Sequence, residues 1–165
     1  MVDIFIDLEW NRNNKIFLFG YAYNLSAYYY LADADVNANN IAKILQPVTG
    51  FVYFYGPDVG VIKTQIGLDL RNYFMCVNLL TVFRYLEPFY SSYKLSELEK
   101  LYALPRSVYR YKSNIFTIYN DWQKPNLRST IIQYNKDDVF NLIRLKRKIF
   151  AQNNFTRNKA ANFAT

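Results

Sequence analysis

The chain has 165 residues, 52% of them hydrophobic, with a net charge of +7, one cysteine and no histidine. A length of this order supports one domain with an ordinary core, while a lone Cys76 and the lack of histidine exclude an internal disulfide, a Cys/His zinc site and Ser-His-Asp or Cys-His catalysis. No apolar run approaches the roughly 20 residues that cross a bilayer, and Met1-Val2-Asp3 lacks the charged, apolar and small-residue regions of an export signal, so a cytoplasmic protein without a membrane partner is expected.

Residues 3–10 form a strand-like run, residues 11–15 a polar turn, and residues 16–23 a second strand-like run, which together predict a hairpin. A Tyr-rich third strand over residues 26–31 precedes a polar stretch at 33–40 and a short helix near 40–46. After Pro47 and Gly50, the aromatic and β-branched run Phe51-Val52-Tyr53-Phe54-Tyr55 predicts a buried strand, ended by Gly56-Pro57-Asp58 at the start of a helix. From about Val77 the pattern turns helical. Leu79, Leu80, Val82, Phe83 and Leu86 lie on one apolar stripe, and a second helix is expected over residues 94–101. A further helix is expected near 113–122, and a long one over 129–150 whose Ile132, Val139, Leu142, Ile143, Leu145 and Ile149 can face a core. The tail from Gln152 is small and polar and reads as loose. Three strands, then α/β units and C-terminal helices, predict an α/β domain with a mixed central sheet over residues 1–150, followed by a basic, flexible tail at 151–165.

The excess charge is concentrated. From Lys124 to the end there are nine basic residues and two acidic ones, and the remainder of the chain is neutral with eleven of each sign. A basic region of this kind suits phosphate backbones, although a solvated basic helix face needs no ligand.

Three short segments carry possible chemistry. Asp7 and Glu9 lie two apart on a strand, so their carboxylates leave the same face of the pleat. Two anions beside a core need a cation, and oxygen ligands suit Mg²⁺ or Mn²⁺; taken alone, such a pair is more often an exposed polar edge. Asp58 sits in the first turn of a helix, at the carboxyl end of a buried strand where ligands gather in α/β sheets, although the helix dipole alone favours an acid there. In Tyr134-Asn135-Lys136-Asp137-Asp138, Tyr134 and Asp138 share a helix face one turn apart, and Asp137 lies on another face.

In content and order these segments resemble the DEDD superfamily of 3′-to-5′ exonucleases, which have the RNase H-like fold. Asp7-Leu8-Glu9 is similar to its first motif, Tyr55-Gly56-Pro57-Asp58 to its second and Tyr134-Asn135-Lys136-Asp137-Asp138 to its Tyr-x-x-x-Asp third. The tyrosine branch is indicated, because the alternative branch needs a histidine. The likeness is greatest to the predicted RNase H-like exonucleases, with Tyr-Asn-x-x-Asp-Val matched by Tyr134 through Val139, and it covers about residues 3–150. The second motif departs from the usual pattern in its Tyr-Gly-Pro lead, and Asp69 is the other acid considered for that place.

The resemblance implies hydrolysis of DNA or RNA, at a single-stranded 3′ end, with two divalent ions about 3.5–4 Å apart. It implies Asp7, Glu9, Asp58 and Asp138 as metal ligands and Tyr134 as the residue that positions the attacking water. Lys136, Arg144, Lys146, Arg147 and Lys148 are the residues expected to guide the phosphate backbone. Two alternatives stand beside it: a binding or interaction module on the same fold with little catalysis, and a structure-selective endonuclease.

Overall fold

The computed structural model describes residues 1–13, 15–111 and 116–165, and for Phe116 the backbone only. Five strands form one sheet, in the order β3-β2-β1-β4-β5. They are β1 (Ile4–Trp10), β2 (Ile16–Ala22), β3 (Tyr29–Ala32), β4 (Phe51–Phe54) and β5 (Met75–Asn78). The first three run antiparallel, and β1 pairs β4, and β4 pairs β5, in parallel. The sheet is therefore the expected mixed one, with β1 at its centre.

Side-chain alternation along β1 explains the layers. Ile4, Ile6 and Leu8 join Ile41 and Leu45 of α1 (Ala38–Leu45) and Val59 and Ile62 of α2 (Asp58–Ile66) in one core. Phe5, on the opposite face, joins a second core with Val82 and Phe83 of α3 (Leu79–Leu86), Leu98 of α4 (Leu95–Leu101), and Val139, Leu142 and Ile149 of α6 (Arg128–Gln152). A smaller third core places Phe17 and Leu18 against Trp122 of α5 (Phe116–Trp122) and against Ile131 and Tyr134. Helix α6 (Arg128–Gln152) has 25 residues and extends roughly 37 Å along the sheet, so one element spans the site and the core. Among the described residues no helix is long and apolar enough to cross a membrane.

Two expectations change. The helical pattern expected from Val77 starts two residues later, because residues 75–78 form strand β5. A strand of four residues is too short to show a period of its own, and only Asn78, which caps the next helix, marks the junction. On α6 Ile131 is buried, and Ile132, partly buried, packs against the third core as expected. The segment beyond Gln152, expected to be loose, is packed. Residues Arg157–Ala161 form α7, Thr156 caps it by accepting the Lys159 amide at 3.3 Å, and Ala160 and Phe155 are buried. Beyond α7, Thr165 exchanges backbone hydrogen bonds with Cys76, so the chain end covers the outer edge of β5. The helix expected near 113–122 is described from Phe116 to Trp122; residues 113–115 lie outside the described residues.

Candidate active site

Strand β1 brings Asp7 and Glu9 to the face covered by α6, and its parallel neighbour β4 delivers the chain to Asp58 at the same end of the sheet. Gly56 makes that turn at φ 95°, a region that L side chains rarely adopt. Asn78, at the end of β5, locks it: the Gly56 amide donates to Asn78 Oδ1 at 3.1 Å, and Asn78 Nδ2 donates to the Gly56 carbonyl at 2.8 Å. The same Oδ1 accepts from Leu80 N and caps α3. One asparagine thus fixes both the loop that carries Asp58 and the helix beside it.

Helix α6 supplies Tyr134 and Asp138 from above the sheet. Carboxylate oxygens of Asp7, Glu9 and Asp138 lie within 4.8 Å of one another. Asp58 stands outside that trio but lines the same cleft, of about 800 Å³, with Asp7, Glu9, Tyr134 and Asp138. Its Oδ2 is buried with no hydrogen-bond partner among the described residues. A buried carboxylate oxygen without a donor is unfavourable unless a cation meets it. The all-oxygen donor set is the chemistry that divalent Mg²⁺ and Mn²⁺ prefer, so the residues present fit a metal centre.

The charges are mutually unfavourable without one. Burial first, then Asp138, Asp58 and Glu9, raise Asp7 well above the usual carboxylate range, with Arg106 opposing them. Glu9 is raised by burial and Asp138, against a hydrogen bond from Asn135. Asp58 is raised by burial, then lowered by the Tyr55 amide and raised again by Asp138. Tyr134 is held far above an ordinary phenol by burial and by Asp138, Glu9 and Asp7, so it is a neutral hydroxyl that can donate.

The structure places the remaining sequence candidates as follows. Asp69 caps a short helical turn by accepting the Arg71 amide at 3.3 Å, pairs with Lys63 at 2.7 Å, and does not line the cleft. Asp137 points elsewhere, accepting the Ser107 and Val108 amides at 2.7 and 3.0 Å. Of the five basic residues expected to guide phosphates, none lines the cleft. Lys136 and Arg144 lie over the Phe140 ring, Lys146 lies over Tyr53, and Lys148 donates to the Tyr102 carbonyl. An α-helix distributes neighbouring basic residues around its axis, and of these Lys136 and Arg144 share one face over Phe140. Among the described residues the cation on the cleft wall is Arg12, in the turn between β1 and β2, with Trp10 beside it and Tyr119 of α5 among the other lining residues.

Two buried residues supply contacts that motif spacing did not reveal. Asn135 Nδ2 donates to Asp7 Oδ2 at 2.8 Å and to Glu9 Oε1 at 3.4 Å, while its Oδ1 accepts from Tyr28 at 2.8 Å. Its signal in the sequence is its place as the Asn of the Tyr-Asn-x-x-Asp-Val run, Tyr134 through Val139, which marks the position but not the contacts. Arg106, in the loop after α4, forms ion pairs with Glu99 and Asp138, and nothing in its local sequence distinguishes it.

With this geometry in place, comparison with known proteins finds that residues 4–150 match the model of the RNase H superfamily. The chain belongs to the RNase H superfamily. No curated protein matches it in sequence. Among solved structures this RNase H domain is similar to one titled as the apo form of a nuclease, with a TM-score of 0.73, 17% identity and coverage of 98% of this chain and 79% of that one. It is also similar to Brucella melitensis NrnC, with a TM-score of 0.70, 16% identity and coverage of 99% and 80%. The same protein with bound Mg²⁺ gives a TM-score of 0.71 at 16% identity and the same coverage. At such identities the likeness concerns the fold.

Proposed function

We propose that this RNase H-superfamily chain is a metal-dependent nuclease acting as a 3′-to-5′ exonuclease on DNA or RNA. The observation that carries the reading is the convergence of four carboxylates from β1, α2 and α6 on one cleft, with Asp58 Oδ2 buried and lacking a donor among the described residues. The similar structures, a nuclease and an Mg²⁺-bound NrnC, support it.

Asp7, Glu9, Asp58 and Asp138 would hold two divalent ions, Mg²⁺ or Mn²⁺. Such ions lower the pKa of bound water and stabilise the charge that develops on the phosphoryl oxygens. The protein's part is to set the carboxylates before substrate arrives. Asn135 holds Asp7 and Glu9 from the α6 side, and the neutral Tyr134 hydroxyl, one helical turn from Asp138, is positioned to orient the attacking water. Arg12 at the cleft would neutralise a substrate phosphate, and Trp10 and Tyr119 offer ring faces for a terminal base.

The test is degradation of 5′-labelled single-stranded DNA and RNA with Mg²⁺, Mn²⁺ or EDTA, comparing the wild type with Asp7→Asn and Asp138→Asn. A metal-dependent ladder shortening from the 3′ end, absent in both variants, is expected. Cleavage of a circular single strand would make the enzyme an endonuclease, and binding without cleavage of any substrate would make it a binding module.

A further inference from the structure

One guanidinium sits inside the carboxylate cluster, and its surroundings are built to keep it there. The side chains of Arg106 and Glu99 are almost fully buried. Arg106 Nη2 donates to Glu99 Oε1 at 2.5 Å and Nε donates to Glu99 Oε2 at 3.2 Å, a two-pronged pair. The same Nη2 donates to Asp138 Oδ1, and the guanidinium carbon lies 4.9 Å from the centre of the Tyr134 ring. Glu99 is held in turn by Asn141 Nδ2, which donates to its Oε1 at 2.8 Å and to the Pro105 carbonyl at 3.1 Å. Asp137 secures the following residues through the Ser107 and Val108 amides. The loop that carries Arg106 is therefore fastened to α6 on both sides of it.

A buried ion pair is a poor source of stability, since desolvation offsets most of the attraction and an apolar pair of like volume serves as well. What this pair supplies is direction. A carboxylate on a helix can rotate about its side-chain torsions, and a charge-assisted donor on Oδ1 restricts Asp138 to one orientation. The same guanidinium packs over the face of Tyr134, so a single group touches both α6 side chains of the site.

We propose that Arg106 is a positioning residue that orients Asp138 and Tyr134 for the metal centre, with Glu99 and Asn141 holding the guanidinium in place. The proposal rests on the nuclease reading of the same cleft. It assigns a role in the reaction to the loop after α4, which carries none of the motif residues.

The test compares the wild type with Glu99→Gln/Arg106→Gln, which removes the pair without changing net charge, and with Arg106→Lys, which keeps the charge without the fork. Mn²⁺ binding is measured by loss of the free-ion electron paramagnetic resonance signal, folding by thermal melting, and kcat and KM on an oligonucleotide. The double variant is expected to melt cooperatively, to bind Mn²⁺ about tenfold more weakly and to lose at least about tenfold in kcat with KM little changed. Arg106→Lys should lose in the same direction, since one ammonium cannot bridge both carboxylates and lie flat over Tyr134. A folded double variant with wild-type Mn²⁺ affinity and kcat would overturn the proposal while leaving the nuclease reading intact. If the double variant fails to fold, wild-type affinity and kcat in Arg106→Lys would overturn it equally. A wild type that neither binds Mn²⁺ nor cleaves would overturn both readings.

Discussion

Asn135 is a buried amide whose every polar contact has a site consequence. Its donors reach Asp7 and Glu9, and its acceptor is filled by Tyr28. It lies against β2 at Gly20, the residue paired with Asp7 across the β1-β2 ladder. A Cβ on Gly20 would come within 1.7 Å of Asn135 Oδ1 and 2.8 Å of the Tyr28 hydroxyl, so the amide approaches the sheet only because no side chain is there. Gly20→Ala must displace the amide and with it the hydrogen bonds to both β1 carboxylates. The expected result is a loss of roughly 1–3 kcal/mol in stability with a fall in turnover, checked by urea denaturation and a nuclease assay. Unchanged turnover in the folded variant would remove Asn135 from the account. At this scale the sequence was legible for the acids, whose order and spacing are chemical signals. It was silent on Gly20, since a glycine in a strand has many possible reasons and the relevant atom lies 115 positions along the chain.

At the scale of elements, the ends of the chain are joined. Arg157 at the start of α7 forms a two-pronged pair with Asp3 just before β1, at 2.6 Å for each contact, and its guanidinium carbon lies 4.5 Å from the Phe51 ring centre. Asp3 also accepts the Phe51 amide at 2.9 Å, so one carboxylate ties β4 and the C-terminal helix to the start of the central strand. Arg157→Ala should lower stability by roughly 1–2 kcal/mol, the range for charge-assisted hydrogen bonds partly screened by water. Turnover per folded molecule should be unchanged, because the contact lies at the opposite end of β1 from Glu9. Thermal melting beside the nuclease assay separates the two effects. The long amphipathic α6 and the hairpin were legible from their periods of 3.6 and 2. Strand β5 and helix α7 were not, because four and five residues are too short to show a period and their reason for forming is what they pack on.

The whole molecule is organised around a cleft that opposes its own charges. Asp7, Glu9 and Asp58 each have a folded-state pKa raised above the ordinary value, so without metal their contribution to stability is fully present at low pH and is lost as pH rises through the raised values. Asp138 and Arg106 are the charged groups facing them, the first raising Asp7 and Glu9 and the second lowering them. In EDTA the melting temperature should therefore fall as pH is raised from the ordinary carboxylate range towards neutral and beyond. Mg²⁺ or Mn²⁺ should reverse that trend at neutral pH by binding the ionised carboxylates. At a hundred times the dissociation constant the stabilisation is about 2.7 kcal/mol, or roughly 5–10 °C for a chain of this size. A melting temperature indifferent to both EDTA and pH in this window would mean that the carboxylates are not a metal site.

The sequence by itself narrowed the class of chemistry: no histidine and one cysteine excluded several common alternatives, and the order of the acids on a strand, a helix start and a long helix resembles a family of oxygen-ligated metal enzymes. It also determined the mixed sheet, since strand and helix periods are local properties of the chain. Tertiary structure alone decided which charged residues meet. The basic residues of α6 do not line the cleft, and Arg106, inconspicuous in sequence, stands beside Asp138 because a loop 32 residues away is fastened against α6. Side-chain proximity between distant segments depends on how buried faces pack, and no local pattern of residue types records it.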